Sequence, residues 1–311
     1  MGSQHSVMRG GHVALPDTEG PLSYSVDAAH GSVRLRYFAP PRELRAYFGS
    51  LYFFSVTAER YSDVTRADVP QLRLMLAGAG DYHFQDGAVI PTPQICLLGP
   101  TMGATRFQLN DPGRVVGISL LPAGWLALNE GDASALADRL CDPGGDNLVA
   151  LLDRLRAMPD DQVEDMAALC WAELGRLIKP LRGSTWMLLE AVDAWLMGEG
   201  SPRIETLTEM TDLSARQLAR LTNRYYGAPP KLLARKYRAL RCASRIALDH
   251  DSWQQLCEEG GFYDQSHFIR EIKHFIGLTP HQLQTEPSAV AQLTLLRRSL
   301  GSDVAVLNRL S

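Results

Sequence analysis

The sequence predicts an α+β chain, with a small β-barrel followed by helices in its first half and an all-α double helix-turn-helix domain in its second. Three observations predict it. Residues 33–121 are short apolar runs separated by Gly, Pro and Asp turns, the texture of a barrel or sandwich. From Pro122 the apolar positions recur every three or four residues, which is the helical period. Between Ser214 and Arg245 the chain carries nine Lys/Arg and no Asp or Glu, although its formal net charge is -4. Roughly three or four carboxylates would be expected in a stretch of that length.

The bulk properties set limits. A length of 311 residues suggests about two domains, and 45% hydrophobic with 21% charged residues describes a chain able to bury ordinary cores. No apolar run reaches the ~18 residues that a membrane span needs. The first twenty residues lack an apolar signal region, so a cytoplasmic location is expected, and Met1-Gly2-Ser3 reads as a cloning remnant. Cys96, Cys141, Cys170, Cys242 and Cys257 are scattered, odd in number and form no CxxC pair. That suits reduced thiols better than a disulfide or zinc framework.

In the first half, Val33–Phe38 alternates and Leu72–Leu76 is apolar, followed by the loose backbone of Gly78-Ala79-Gly80-Asp81, which suits a hairpin. Tyr82–Phe84, the Asp86-Gly87 turn, Ala88–Ile90 and Ile95–Leu98 continue as strands. Arg106–Leu109 and Val115–Leu121 flank Asp111-Pro112-Gly113 and read as another hairpin. Tyr47–Ser55 fits strand or helix. Helices are expected over Ala123–Leu128, Ala133–Leu140, Leu148–Met158 and Gln162–Ile178, and Pro180–Ser184 is the expected domain boundary.

Beyond that break every segment reads as helix. Ser184–Met197 is ended by Gly198-Glu199-Gly200, and Ile204–Met210 places Leu207 and Met210 on an apolar side. Ser214 and Gln217 form a capping-box pair that starts the next helix sharply. In it Leu218, Leu221, Thr222 and Tyr225 point inward, leaving Arg216, Gln217, Arg220, Asn223 and Arg224 outward. Arg, Gln and Asn are the side chains that make bidentate contacts with base edges. Gly227 stops this helix and Pro229-Pro230 starts a long one, in which Lys231, Arg235, Arg238, Arg241 and Arg245 form a stripe that can follow phosphates or brace the domain. The unit then repeats. Trp253–Glu259 is a short helix, Asp264 a new cap, and Phe268, Ile272 and Phe275 an inward face, with Gln265, Ser266, His267, Arg270 and Lys273 outward and Gly277 and Pro280 closing it.

Two such units joined by one helix carry a family resemblance. Leu213-Ser214-Ala215-Arg216-Gln217-Leu218-Ala219-Arg220-Leu221 with Gly227 and Pro230-Lys231 resembles the first half of the AraC/XylS-type DNA-binding domain. Gly261-Phe262-Tyr263-Asp264-Gln265-Ser266-His267-Phe268, then Arg270, Phe275, Gly277 and Thr279-Pro280, resembles its second half. The resemblance covers residues 184–286 and implies seven helices, with two recognition helices entering successive major grooves. By position it implies DNA contacts from Arg216, Ala219 and Arg220 in the first unit and from Gln265, Ser266, His267 and Arg270 in the second. Leu207-Thr208 and Leu256-Cys257 depart from the small Ala usual near those sites. Residues 21–180 resemble, by pattern only, the sensing domains of such regulators, which implies a small cupin-like barrel that binds an effector or mediates dimerisation. Specific double-stranded DNA is the expected partner, with RNA polymerase, a small-molecule effector and a second copy of the chain as further candidates.

Other chemistry finds little support. A cupin metal site needs clustered His and a carboxylate, and His30 and His83 stand alone, so neither a metal nor a cofactor is expected. Tyr37, Phe38, Tyr52, Phe53, Phe54, Tyr82, Phe84 and Trp125 are core or pocket aromatics. Nucleotide-binding, metalloprotease and nucleophile-elbow motifs are missing, so no enzyme is expected. A Cys-based DNA-repair methyl acceptor is the enzyme alternative, and a partner-regulated adaptor with weak DNA affinity the binding alternative. Asp160-Asp161 and Glu164-Asp165 suit the start of a helix. In the extension, residues 287–311, Val290, Leu293, Leu296 and Leu300 mark one more amphipathic helix with Arg297 and Arg298 on its opposite side.

Overall fold

A computed structural model of the chain describes residues 6–8, 22–28, 31–129, 131–198 and 202–310, with side chains from residue 32 onward. His30, Glu199 and Gly200, which the sequence reading used, lie outside the described residues. Twelve strands are described: β1 (Ser6–Met8), β2 (Leu22–Ala28), β3 (Gly31–Phe38), β4 (Phe48–Val56), β5 (Tyr61–Thr65), β6 (Gln71–Ala77), β7 (Gly80–His83), β8 (Val89–Pro91), β9 (Ile95–Leu98), β10 (Thr105–Leu109), β11 (Gly113–Leu120) and β12 (Leu140–Cys141). They form one sheet in the order β1-β2-β3-β4-β11-β6-β9-β12 and a second in the order β5-β10-β7-β8. The two sheets face one another, as in a cupin-like barrel. Tyr47–Ser55, open to either assignment in the sequence, is strand from Phe48 onward.

Period-two alternation sorts each central strand between two cores. On β6, Leu72, Leu74 and Leu76 pack outward under helices, together with Ile95 and Leu97 of β9 and Val116, Ile118 and Leu120 of β11. The helices over that face are α1 (Pro122–Leu128), α2 (Asp146–Ala157) and α3 (Val163–Leu177), which contribute Trp125, Leu155 and Trp171. The inter-sheet core takes the opposite faces, with Leu35 and Tyr37 of β3, Leu98 of β9 and Phe107 of β10.

Two expected hairpins are instead crossings between the sheets. β6 pairs with β11 and β9 in one sheet, whereas β7 pairs with β10 and β8 in the other. Likewise β10 and β11 are consecutive but lie in different sheets. The turn residues are where the sequence puts them, yet the strands find partners on opposite sides of the core. Ala133–Leu140 is not an α-helix: a 3-10 turn over Ala133–Leu136 ends before Asp138, which has φ 52, and β12 follows. Within this irregular stretch Asp138 N–H donates to Pro100 O at 3.1 Å.

The second half contains α4 (Gly183–Met197), α5 (Ile204–Thr211), α6 (Ala215–Tyr226), α7 (Pro230–Leu248), α8 (Trp253–Glu259), α9 (Gln265–Ile276) and α10 (Pro280–Thr285). Leu207, Leu218, Leu240, Phe268 and Phe275 meet in one core. Met210, expected on the apolar side of α5, is instead 48% exposed, since the core contacts of this two-turn helix come from Leu207 and, partly, Ile204.

The extension departs most from expectation. It comprises α11 (Ala289–Leu295), a 3-10 segment Leu296–Asp303 kinked at Gly301, and α12 (Val306–Leu310). Val290, Leu293, Leu296 and Leu300 are buried in the inter-sheet core of the barrel. Arg297, expected on the solvent side, is only 2% exposed, because Asp68 lies beneath it.

Candidate nucleic-acid interface and barrel cavity

Each helix-turn-helix unit is fixed by its caps. Gln217 N–H donates to Ser214 Oγ at 3.3 Å while Ser214 N–H donates back to Gln217 Oε1 at 3.0 Å, so the turn after α5 delivers α6 at a set angle. Asp212 closes α5 in the left-handed region, φ 52. In the second unit His267 N–H donates to Asp264 Oδ1 at 2.6 Å. Gly227 and Gly277 end α6 and α9 with φ 82 and 88, conformations that favour glycine.

Between these caps Arg216, Gln217, Arg220 and Arg224 are exposed on or beside α6, and Gln265, Ser266, Arg270 and Lys273 on α9, while Lys231 is exposed at the start of α7. Ala219 is half-buried. Gln217 has its side-chain oxygen in the cap. His267 is half-buried, with Nδ1 accepting from Tyr263 N–H at 3.2 Å and its ring edge-on to Phe262. Tyr263, which the sequence reading did not single out, is 92% exposed in the turn before α9. Its signal was an aromatic side chain between a glycine turn and a cap residue.

The basic stripe on α7 largely braces the domain. Arg235 makes a bidentate pair with Glu271 of α9, Nε to Oε2 at 3.0 Å and a terminal nitrogen to Oε1 at 2.6 Å, which raises the Arg235 pKa. Arg238 donates to Gly261 O at 3.1 Å and lies 4.3 Å from the Phe262 ring centre. Arg241 donates to Leu196 O at 2.5 Å, and Arg245 to Asp251 Oδ2 at 2.6 Å. These arginines tie α7 to α9, to the turn before it, to α4 and to the segment before α8.

The barrel loops dock on the ends of both units. Ala67 N–H donates to Phe275 O at 2.7 Å, and Ala104 N–H and the Gln85 amide each donate to His274 O at 2.8 Å. Carbonyls in the last turn of a helix have no intrahelical partner, so here the barrel caps α9. A Cβ at Gly277 would run into Val64, and one at Gly227 into Pro100. Lys236, fully buried in the middle of α7, donates from Nζ to Asp68 O at 2.6 Å, and burial pulls its pKa down to about 8.

Between the two sheets lies a cavity of about 80 Å³. Of the eight aromatics expected as core or pocket, Tyr37, Tyr52, Phe54 and Tyr82 line it, joined by Phe107. Phe38, Phe53, Phe84 and Trp125 do not line it. One end is polar: Arg73 donates twice to Gln71 Oε1, at 2.9 and 2.7 Å, and Gln71 donates to Asp68 Oδ2 at 2.6 Å. Asp68 also accepts from Arg297 at 2.7 Å. Tyr52 donates to Gln71 Oε1 at 2.7 Å, and burial raises its pKa and that of Tyr37. Arg73 did not stand out in the sequence reading, and Arg297 was expected opposite the apolar side of the extension helix rather than in this cavity.

Two exposed, capped helices, α6 and α9, packed on one α-domain beside a barrel with an internal cavity have the arrangement of a double helix-turn-helix. Residues 207–286 match the family model described as a helix-turn-helix domain. The match gives these residues a helix-turn-helix domain, and it falls within the stretch 184–286 whose motifs resemble the AraC/XylS-type DNA-binding domain. No curated protein matches the sequence. Similar solved structures include ToxT from Vibrio cholerae O395, at 12% identity and TM-score 0.41, covering 73% of this chain and 98% of that one. The AraC-like transcriptional activator CuxR is 15% identical with TM-score 0.30, covering 75% of this chain and 86% of its own. A cupin 2 conserved barrel domain protein from Rhodopseudomonas palustris is 15% identical with TM-score 0.24, covering 50% and 95%.

Proposed function

We propose that α6 and α9 read successive major grooves on one face of a duplex, over a site on the order of 20 bp, and that the barrel senses a small molecule. The observation that carries the DNA reading is the shared exposure of Arg216 and Arg220 on α6 and of Gln265 and Arg270 on α9. Arg and Gln are suited to guanine and adenine edges respectively. Lys231 and Lys273, both exposed, suit phosphates, and Tyr263, exposed in the turn before α9, suits a contact with the backbone or a thymine methyl. Arg235, Arg238 and His267 act in this reading by holding the second unit in place.

The cavity supports the sensing role, and its polar end is bonded through Asp68 to Lys236 of α7. A ligand that prefers one arrangement of that connection shifts the DNA-binding equilibrium by its difference in affinity for the two states. A homodimer and contact with RNA polymerase in the cytoplasm belong to the same proposal. We propose no enzymatic role: burial raises the pKa of Cys96 and Cys242 to about 11 and that of Cys170 to about 12, the opposite of an activated thiolate. Incubation with alkylated DNA followed by intact mass tests this, and an added methyl on a cysteine would revive the repair reading. The docking of barrel loops on α6 and α9 keeps the adaptor alternative in view. Selective DNA binding by the full-length protein with no added partner decides against it.

A further inference from the structure

The cavity is lined by three guanidinium groups, those of Arg66, Arg73 and Arg297, and by two carboxylates, Asp68 and Asp81. Asp68 is taken by Arg297. Asp81 is half-buried and accepts from the Asn110 amide at 3.4 Å. Arg73 is 9% exposed, donates to the neutral oxygen of Gln71 and lies 5.1 Å from the Tyr82 ring centre. Among the described residues it forms no ion pair. A buried guanidinium with only a neutral acceptor retains much of its desolvation penalty, and a carboxylate supplies the charge-assisted, bidentate bond that relieves it. Arg66 is buried close to Arg297, and burial first and that neighbouring charge second lower its pKa. The rest of the wall, including Leu35, Phe54, Met75, Phe107, Val115 and Leu293, is apolar.

The wall is not uniform. β3, β4, β6 and β11 are each hydrogen-bonded to a strand on both sides. Val290, Leu293, Thr294 and Arg297 come instead from the extension, which is held by isolated bonds such as Val290 N–H to Asp63 Oδ2 at 3.0 Å and Arg66 to Thr294 O at 3.0 Å. The cavity has about half the ~150 Å³ that admits benzene. Anything larger than a few heavy atoms must move a wall, and the extension yields with the fewest bonds broken.

We propose that the cavity binds a small organic carboxylate with an apolar body, its carboxylate seated between Arg73 and Arg297 and its body against Phe54, Phe107 and Leu293. Its entry competes with Asp68 for Arg297 and loosens residues 289–303 from the barrel. This rests on the sensing role proposed above, and it adds the ligand's chemical class and the part of the chain that responds. Because Asp68 also holds Lys236, loosening it reaches α7 directly.

The test titrates the full-length protein with sodium hexanoate, hexan-1-ol and hexylamine by calorimetry, follows hydrogen exchange over residues 289–303, and measures DNA affinity in the same solutions. The expected result is hexanoate binding at least about tenfold tighter than hexan-1-ol, no hexylamine binding, and faster exchange in the extension with hexanoate. Arg73→Gln should weaken hexanoate at least about tenfold and leave hexan-1-ol unchanged, which also reports that the cavity is intact, while Arg73→Lys should retain a preference for hexanoate. No hexanoate binding, equal binding of the alcohol, or an unaffected Arg73→Gln overturns the proposal. Hexanoate bound through Arg73 with DNA affinity unchanged upholds the site and refutes sensing. Hexan-1-ol bound equally well and shifting DNA affinity upholds sensing and refutes the anion.

Discussion

Lys236 in α7 donates to the backbone oxygen of Asp68, and the Asp68 carboxylate accepts from Arg297, so one barrel residue joins the DNA-binding domain, the extension and the cavity. None of these contacts is local in sequence. Asp68 and Lys236 are 168 residues apart, and Asp68 and Arg297 are 229 apart. The three parts are therefore bonded through one residue, and substitutions at Asp68, Lys236 or Arg297 should be felt in all of them.

Base readers and braces should separate in binding assays. Arg216→Ala and Arg270→Ala should each lose ~1–3 kcal/mol on the cognate site and relax base preference. Arg235→Ala should instead lower thermal stability, because it leaves Glu271, only 6% exposed at its side chain, without its bidentate partner. Quantitative gel shifts on cognate and scrambled duplex, paired with melting curves, check both. Equal losses on the two duplexes for Arg216→Ala would remove it from the base readers.

Removing one partner of the Asp68–Arg297 pair should be costly. Arg297→Met leaves a buried carboxylate and should destabilise the fold by about 3 kcal/mol, whereas adding Asp68→Asn should recover most of that loss. A urea-denaturation double-mutant cycle measures the coupling. Additive effects would show that the pair is not energetically linked.

The pH dependence of stability should have two limbs of opposite sign. Burial raises Asp193 to about 7, against about 3.9 in an unfolded chain, even though the Tyr226 hydroxyl donates to it at 2.6 Å. Its stabilising contribution is complete below about pH 4 and is lost as pH rises towards 7. Lys236 is depressed to about 8, against about 10.4 unfolded, so its contribution is complete above about pH 10 and is lost as pH falls through 8. These two groups together place a stability minimum between about pH 7 and 8. Denaturant melts at intervals from pH 5 to 10 should show it, with Asp193→Asn flattening the acid limb and Lys236→Met the alkaline one.

Gly277→Ala combines two penalties, a left-handed φ of 88 and a Cβ that meets Val64 of the barrel. It should cost roughly 2 kcal/mol or more. Gly87→Ala, with φ 90 but no neighbour near its Cβ, carries only the first. Differential scanning calorimetry of both separates backbone strain from interdomain docking, and equal losses would deny the close approach.

Much of the second half was legible in the sequence because its signals are local. Ser214, Asp264, Gly227 and Gly277 act within one turn of where they stand, and the apolar faces of α6 and α9 follow the helical period. The first half was legible as strands but not as a topology, since turn residues such as Asp111-Pro112-Gly113 serve a hairpin and a crossing between sheets equally well. Arg73 was hidden for a related reason. An alternating strand such as Gln71-Leu72-Arg73-Leu74 ordinarily turns its polar side to water, whereas here helices cover one side and the second sheet the other. Arg297 and Lys236 were hidden because the partner of each, Asp68, is more than 150 residues away, and Lys236 sits among the apolar residues of α7 rather than on its basic stripe.

The central claim is that this chain reads DNA through two recognition helices, α6 and α9, packed on one shared core. The most direct test is binding of the full-length protein to duplexes tiling the DNA beside its own gene, against scrambled duplex, over a series of salt concentrations. The account predicts one duplex bound selectively, with affinity falling steeply and linearly on a log–log salt plot as phosphate contacts release counterions. Equal, salt-insensitive affinity for both kinds of duplex would contradict it.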